Sequence, residues 1–166
     1  MRTIFGSCVG VAAFSLLLSA PVSAQVVTLK GTLSGGEETP AVVVTGAVGT
    51  VEASVDTEAR EISVTLRVFN IPATSPTTAG HFHVGPKGGG GPVVLNFPSS
   101  IAGRTGDFTM TFRLGASSLV PRAAQGINTI DDMIQAMVAG NAYANVHTSA
   151  NPGGEIRGQL SLATTP

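Results

Sequence analysis

The chain has 166 residues with a formal net charge of −1, 11% charged and 5% aromatic side chains, and a single cysteine. With so few charges and no basic cluster, nucleic acid and heparin are excluded as main partners. A lone thiol excludes a disulfide framework.

The first 24 residues read as an export leader. Arg2 gives a positive start, Ile4 to Ala20 is apolar, and Pro21-Val22-Ser23-Ala24 ends in small residues of the kind a signal peptidase reads. The apolar stretch is shorter than the run of about 20 residues that spans a bilayer. Its Gly, Ser and Pro content also suits a cleaved peptide, and Cys8 lies too early in it for lipidation. Cleavage after Ala24 is therefore expected. It leaves residues 25–166 as one β-sandwich domain of 142 residues, with 8 basic and 10 acidic side chains and a net charge of −2. That length suffices for a self-supporting core, and no membrane span is expected after the cut.

In chain order, Val26 to Leu33 is the first strand, broken by Gly35-Gly36-Glu37-Glu38-Thr39-Pro40. Glu37 and Glu38 could bind a cation, but a solvated loop is the preferred reading. Gly46 to Val55 follows, with a turn around Asp56 to Ala59. Glu61 to Phe69 is the clearest strand: Ile62, Val64, Leu66 and Val68 share one face. Val93-Val94-Leu95 is a short buried run, and Phe108, Met110, Phe112 and Leu114 repeat the alternation. Gly88 to Gly91 lacks the Lys-Ser/Thr ending of a phosphate loop and is read as a turn.

One segment has helical period, with Ile130, Met133, Ile134, Met137 and Val138 spaced by three and four. Asn128 or Thr129 can cap it, and Asp131 and Asp132 suit its positive end. The final hairpin pairs Ala142–Thr148 with Glu155–Leu162 across Asn151-Pro152-Gly153-Gly154.

The chemistry concentrates on three histidines. In extended Ala79 to Val84, His81 and His83 share a face, opposite Phe82 and Val84. With Phe82 and Val84 inside, both imidazoles look out from the sandwich. Two residues along a strand separate Cα atoms by roughly 6.6 Å, close enough for both rings to reach one metal. In the last hairpin Tyr143, Asn145 and His147 share the face opposite Ala144 and Val146. If Ile156 packs near Val146, Glu155 and Arg157 fall on the side of His147. Glu155 is then placed to orient an imidazole, and Arg157 to hold an anion. The competing account makes Asn145, His147, Thr148, Glu155 and Arg157 a polar network that fixes the hairpin.

Gly80-His81-Phe82-His83-Val84-Gly85-Pro86, the Gly-rich turn into Gly91-Pro92-Val93-Val94, and the run from Ala139 through His147-Thr148 into Asn151-Pro152-Gly153-Gly154-Glu155-Ile156-Arg157-Gly158-Gln159-Leu160 resemble the CHRD domain, named after chordin. Gly35, Glu37, Glu38 and Pro40 resemble its opening motif. The likeness covers about Val26 to Leu162. It implies an all-β, Greek-key-like sandwich similar to copper/zinc superoxide dismutases, with one short helix before the final hairpin. It implies an exported protein, periplasmic or extracellular, and no established enzyme activity. With three histidines in all, a bridged two-metal dismutase site cannot be built. One copper or zinc ion on His81, His83 and His147 can be.

Three functional classes follow. The first is a secreted module holding that ion, with Tyr143, Asn145, Glu155 and Arg157 around it. The second is a metal-free extracellular domain that recognises protein or polysaccharide. The third is a mononuclear copper redox enzyme handling superoxide, ranked last because no residue set supplies an assignable general acid or base.

Overall fold

A computed structural model describes residues 26–163; the expected leader lies outside them. The strands are β1 (Val26–Ser34), β2 (Val48–Asp56), β3 (Glu61–Ile71), β4 (Thr77–Val84), β5 (Val93–Asn96), β6 (Gly106–Leu114), β7 (Ala142–Thr148), β8 (Ile156–Gln159) and β9 (Ser161–Leu162). One helix, α1 (Ile130–Val138), precedes the last hairpin. Among the described residues no helix is long and apolar enough to cross a membrane.

All named pairings are antiparallel. They form one curled sheet in the order β5-β4-β7-β8-β1-β2-β3-β6, with β9 also on β1. The result is an all-β fold whose strands wrap a shared apolar interior. Its two halves, β5-β4-β7-β8 and β1-β2-β3-β6, meet where Ser34 of β1 pairs with Arg157 of β8.

Strict alternation builds the interior. Ile62, Val64, Leu66 and Val68 of β3 are all fully buried, opposite Val55, Ala53 and Val51 of β2 in register. Phe82, Ala144, Val146 and Ile156 supply the other half of the core. Phe97 bridges the halves, its ring 4.9 Å from Phe82 and 5.0 Å from Phe112 in edge-on or tilted contacts. Gly80 makes room for it: a Cβ there would lie 2.5 Å from a Phe97 ring carbon.

The helix carries the expected signals. Thr129 accepts from the Asp132 N–H, and the Asp132 carboxylate accepts from the Thr129 N–H at 2.8 Å, a reciprocal cap. Ile130, Met133, Ile134 and Met137 are buried. The acidic pair at 131 and 132 belongs to a helix start.

Removing the Phe82 ring empties a fully buried site between the halves, so Phe82→Ala should cost about 3–5 kcal/mol in urea unfolding. Thr129→Ala, which removes only a cap, should cost about 1 kcal/mol. Equal losses from the two substitutions would contradict this core assignment.

Candidate metal centre

Register brings the histidines together. β4 and β7 pair His81 with Asn145, His83 with Tyr143, and Ala79 with His147. The ring of His147 therefore sits diagonally across from His81, within reach along one face of an antiparallel pair. One ring nitrogen from each of His81, His83 and His147 lies within 4.8 Å of the others. The closest approach is His81 Nδ1 to His147 Nε2, at 3.1 Å.

The remaining nitrogens show how two of the rings are held. His83 Nδ1 lies 3.0 Å from the Gly91 carbonyl oxygen, and His147 Nδ1 lies 3.0 Å from that of Pro152. A carbonyl only accepts, so both Nδ1 atoms carry the proton and both Nε2 atoms offer a lone pair. His83 Nε2 is buried and meets no hydrogen-bond partner. Three converging nitrogens, two of them on rings with fixed tautomers, suit imidazole ligation.

The surroundings keep these rings neutral. Burial, reinforced by the neighbouring His147 and His83, lowers the pKa of His81 to about 4. Burial also lowers His83 to about 4, with His147 and Arg157 adding and the Gly91 hydrogen bond opposing. His147 is lowered too, chiefly by burial. Neutral imidazole is the ligating form.

The expectation that the imidazoles look out into solvent is corrected. They do project from the face opposite Phe82, but His83 and His147 are each only 8% exposed. β7 is buried at every position, so both of its faces are covered. Three loops provide the cover, and most of the polar side chains on this face find a partner in one of them. The loop after β1 brings Glu38 to Asn145, Thr39 to Arg157 and Thr45 to Glu155. The loop after β4 supplies the Gly91, Gly89 and Pro86 carbonyls. The hairpin turn supplies Pro152.

Glu38 was expected in a solvated loop and is not there. It is 5% exposed, and its carboxylate accepts from Asn145 Nδ2 at 3.4 Å. Burial pushes its pKa up to about 7, against the pull of Arg157 and Asn145. Gly154 makes this possible, since a Cβ there would stand 2.5–2.6 Å from the Glu38 carboxylate oxygens.

The other expected residues divide. Val146 does pair with Ile156, and Asn145 with Arg157. Tyr143 stacks on His83 at 4.7 Å with 10° between the planes, and its hydroxyl meets the Gly91 backbone. Arg157 lies over the far side of the phenol, its Cζ 3.6 Å from the ring centroid. Its guanidinium donates to Thr39 Oγ1 and to the Gly89 and Pro86 carbonyls, so both of its terminal nitrogens are engaged within the protein. Glu155 accepts from Thr45, Thr148 and Asn151. Those three hydrogen bonds outweigh burial and lower its pKa. Glu155 thus ties down the hairpin, and backbone carbonyls orient the imidazoles of His83 and His147.

Sequence reasoning missed Glu38, Gly91 and Pro152. The two carbonyls belong to Gly/Pro-rich turns close to their histidines in the chain, a usable hint. Glu38 meets Asn145 across 107 positions, and nothing in its local sequence announces that.

A protein-family model described as the CHRD domain matches residues 29–160. No curated protein and no solved structure gives a significant match.

Glu38 makes one consequence measurable. Its folded pKa, about 7, lies above its ordinary 4.5. Between those values the folded state holds the proton more tightly, so its contribution is full below pH 4.5 and is lost as pH rises through 7. Glu38→Gln should therefore gain stability relative to the parent as pH is raised from 4.5 to 7.5. A difference between the two melting curves that does not change with pH would show the carboxyl to be solvated.

Proposed function

The chain belongs to the CHRD-domain family, and on that premise we propose that it is an exported binding module that holds one copper or zinc ion through His81, His83 and His147. The export leader read in residues 1–24, with cleavage after Ala24, completes this reading. The site would serve capture, delivery or structural order outside the cytoplasm.

One observation carries the proposal: one nitrogen from each of the three histidines converges within 4.8 Å, and His83 Nε2 is buried without a partner. Leaving a buried polar atom without a partner costs about 1–3 kcal/mol. Ligation to an ion removes that cost. The residues fit such an ion in kind as well, since imidazole nitrogens suit copper and zinc. Bonds of about 2.0–2.1 Å place tetrahedral donors roughly 3.3 Å apart. The 3.1 Å pair is near that spacing, and the set as a whole needs a modest contraction from 4.8 Å. His81, the least covered of the three rings, leaves a side open for an entering ion or a further ligand.

A metal-free interaction domain is the second reading, favoured by the His81–His147 contact. At 3.1 Å it can stand as a hydrogen bond between two neutral imidazoles. It does nothing for His83 Nε2.

Elemental analysis of the untagged mature domain separates the two readings. One copper or zinc per chain is expected in the parent, with loss of stoichiometric binding in His83→Ala and in His147→Ala. Metal supplied at about 100 times its dissociation constant should stabilise the parent by about 2.7 kcal/mol. Substoichiometric metal together with an unmoved melting temperature would leave the metal-free reading standing.

A further inference from the structure

We infer that the ion this site is built to take is monovalent copper, Cu(I), bound by His81 Nδ1, His83 Nε2 and His147 Nε2 as three neutral donors. The inference rests on the metal-site reading and narrows it to one cargo.

Charge is the first argument. Among the described residues, no cysteine, aspartate or glutamate joins the three-histidine cluster, so the ligand set carries no negative charge. Two buried groups nearby are ionised, the Arg157 guanidinium and the Glu155 carboxylate, and their unit charges offset each other. Arg157 is the one connected to a ligand, through the Tyr143 ring stacked between it and His83. The third group, the Glu38 carboxyl, is held largely protonated below neutral pH by its burial. An entering ion therefore brings its whole charge into a half-buried pocket. The cost of moving an ion out of water rises with the square of its charge, so a divalent ion pays about four times what a monovalent one does. A divalent ion could offset this only by importing an anion through the side left by His81.

Donor number and spacing are the second argument. Zinc in protein sites takes four ligands in a tetrahedron, and Cu(II) prefers a tetragonal set of nitrogen and oxygen donors. The cluster offers three donors, all within 4.8 Å of one another and the closest pair 3.1 Å apart. Zinc would have to complete its tetrahedron with water or another ligand in the fourth position, whereas three donors already suffice for a low coordination number. Cu(I), with a filled d shell and a low charge, accepts two or three donors at open angles.

The locked tautomers are the third. His83 and His147 already present Nε2 lone pairs because their Nδ1 protons are bonded to Gly91 and Pro152. Two of the three donors are therefore aimed before an ion arrives, and only His81 has to change tautomer.

The test uses the untagged mature domain under anaerobic conditions with a mild reductant. Cu(I) is offered as its complex with bicinchoninate, a coloured competitor, and Zn(II) and Cu(II) are titrated separately against metal-free protein. The expected result is one Cu(I) per chain withdrawn from the competitor, and a larger melting shift from Cu(I) than from either divalent ion at equal concentration. One-to-one Zn(II) or Cu(II) binding as tight as that of Cu(I) would overturn the cuprous assignment while leaving the histidine site intact. If none of the three ions bound, the site reading itself would fall.

Asn145→Asp tests the charge argument directly, because it adds a carboxylate of the same shape opposite His81. It should move the Zn(II)/Cu(I) affinity ratio toward zinc by about tenfold or more. An unchanged ratio in a folded variant would refute charge as the selecting principle, and the parent competition decides the assignment if the variant does not fold.

Discussion

Register between β4 and β7 determines where all three imidazoles lie. His83 opposite Tyr143, and His81 opposite Asn145, put three rings and a phenol on a single face. A slip of one residue would turn His147 toward the core and Val146 toward the loops. Several features hold the register. Phe82 and Ala144 face each other in the fully buried interior. Gly80 lets the Phe97 ring close over the strand. At the far end of the pair the alignment shifts between Thr77 and Ala79, and Thr148 beyond His147 still pairs with Thr77. The same strands that make the core therefore aim the donors, and few substitutions could alter one without the other.

Such a face would ordinarily be the wet side of an antiparallel sheet. Here it is dry, and its polar groups must find partners within the protein. Much of the apparent oddity of the loops follows from that demand. Gly35 and Gly91 sit where a Cβ would overlap the carbonyls of Val43 and Val84. The chain can then fold back tightly enough to bring its own oxygens to Arg157, His83 and Tyr143. Arg157 is buried whole, with a stacking partner and three neutral acceptors. Glu155 is buried with three donors. A charge removed from water without such partners would cost several kcal/mol, so the covering loops and the polar face depend on each other.

This division marks how much could be read from the sequence. Alternation in Ile62–Val68 and Phe82–Val84 identifies the inner face, because a period of two is a property of the strand itself. The helix announces itself through Thr129 and Asp132, which cap within three residues. The His81, His83 and His147 grouping follows from the same alternation plus one pairing. What lies beyond reach is the third layer. Whether a loop stands off from a sheet or lies on it depends on contacts such as Glu38–Asn145 and Thr45–Glu155, more than a hundred positions apart. Glu38 looks like any acidic loop residue until Gly154, far along the chain, leaves space for its carboxyl. Glu155 and Arg157 fall on the histidine side, but their partners come from loops whose paths no local pattern fixes.

The protonation pattern bears on how such a site would fill. A 3.1 Å approach of His81 Nδ1 to His147 Nε2 is a hydrogen bond only if one of them carries a proton. The His147 proton is held at Nδ1 by Pro152, so the shared proton sits on His81 Nδ1. His81 must therefore change tautomer before its Nδ1 can serve as a donor, moving that proton to Nε2. It is the least covered ring of the three, so water can assist the exchange. His83 and His147 need no change at all. With His81 and His83 neutral down to about pH 4, filling the site requires no net proton release near neutrality. Competition between metal and protons, which governs most histidine sites near pH 6.5, is displaced here to more acidic conditions. Burial that makes charging the rings expensive is the same burial that keeps their lone pairs available.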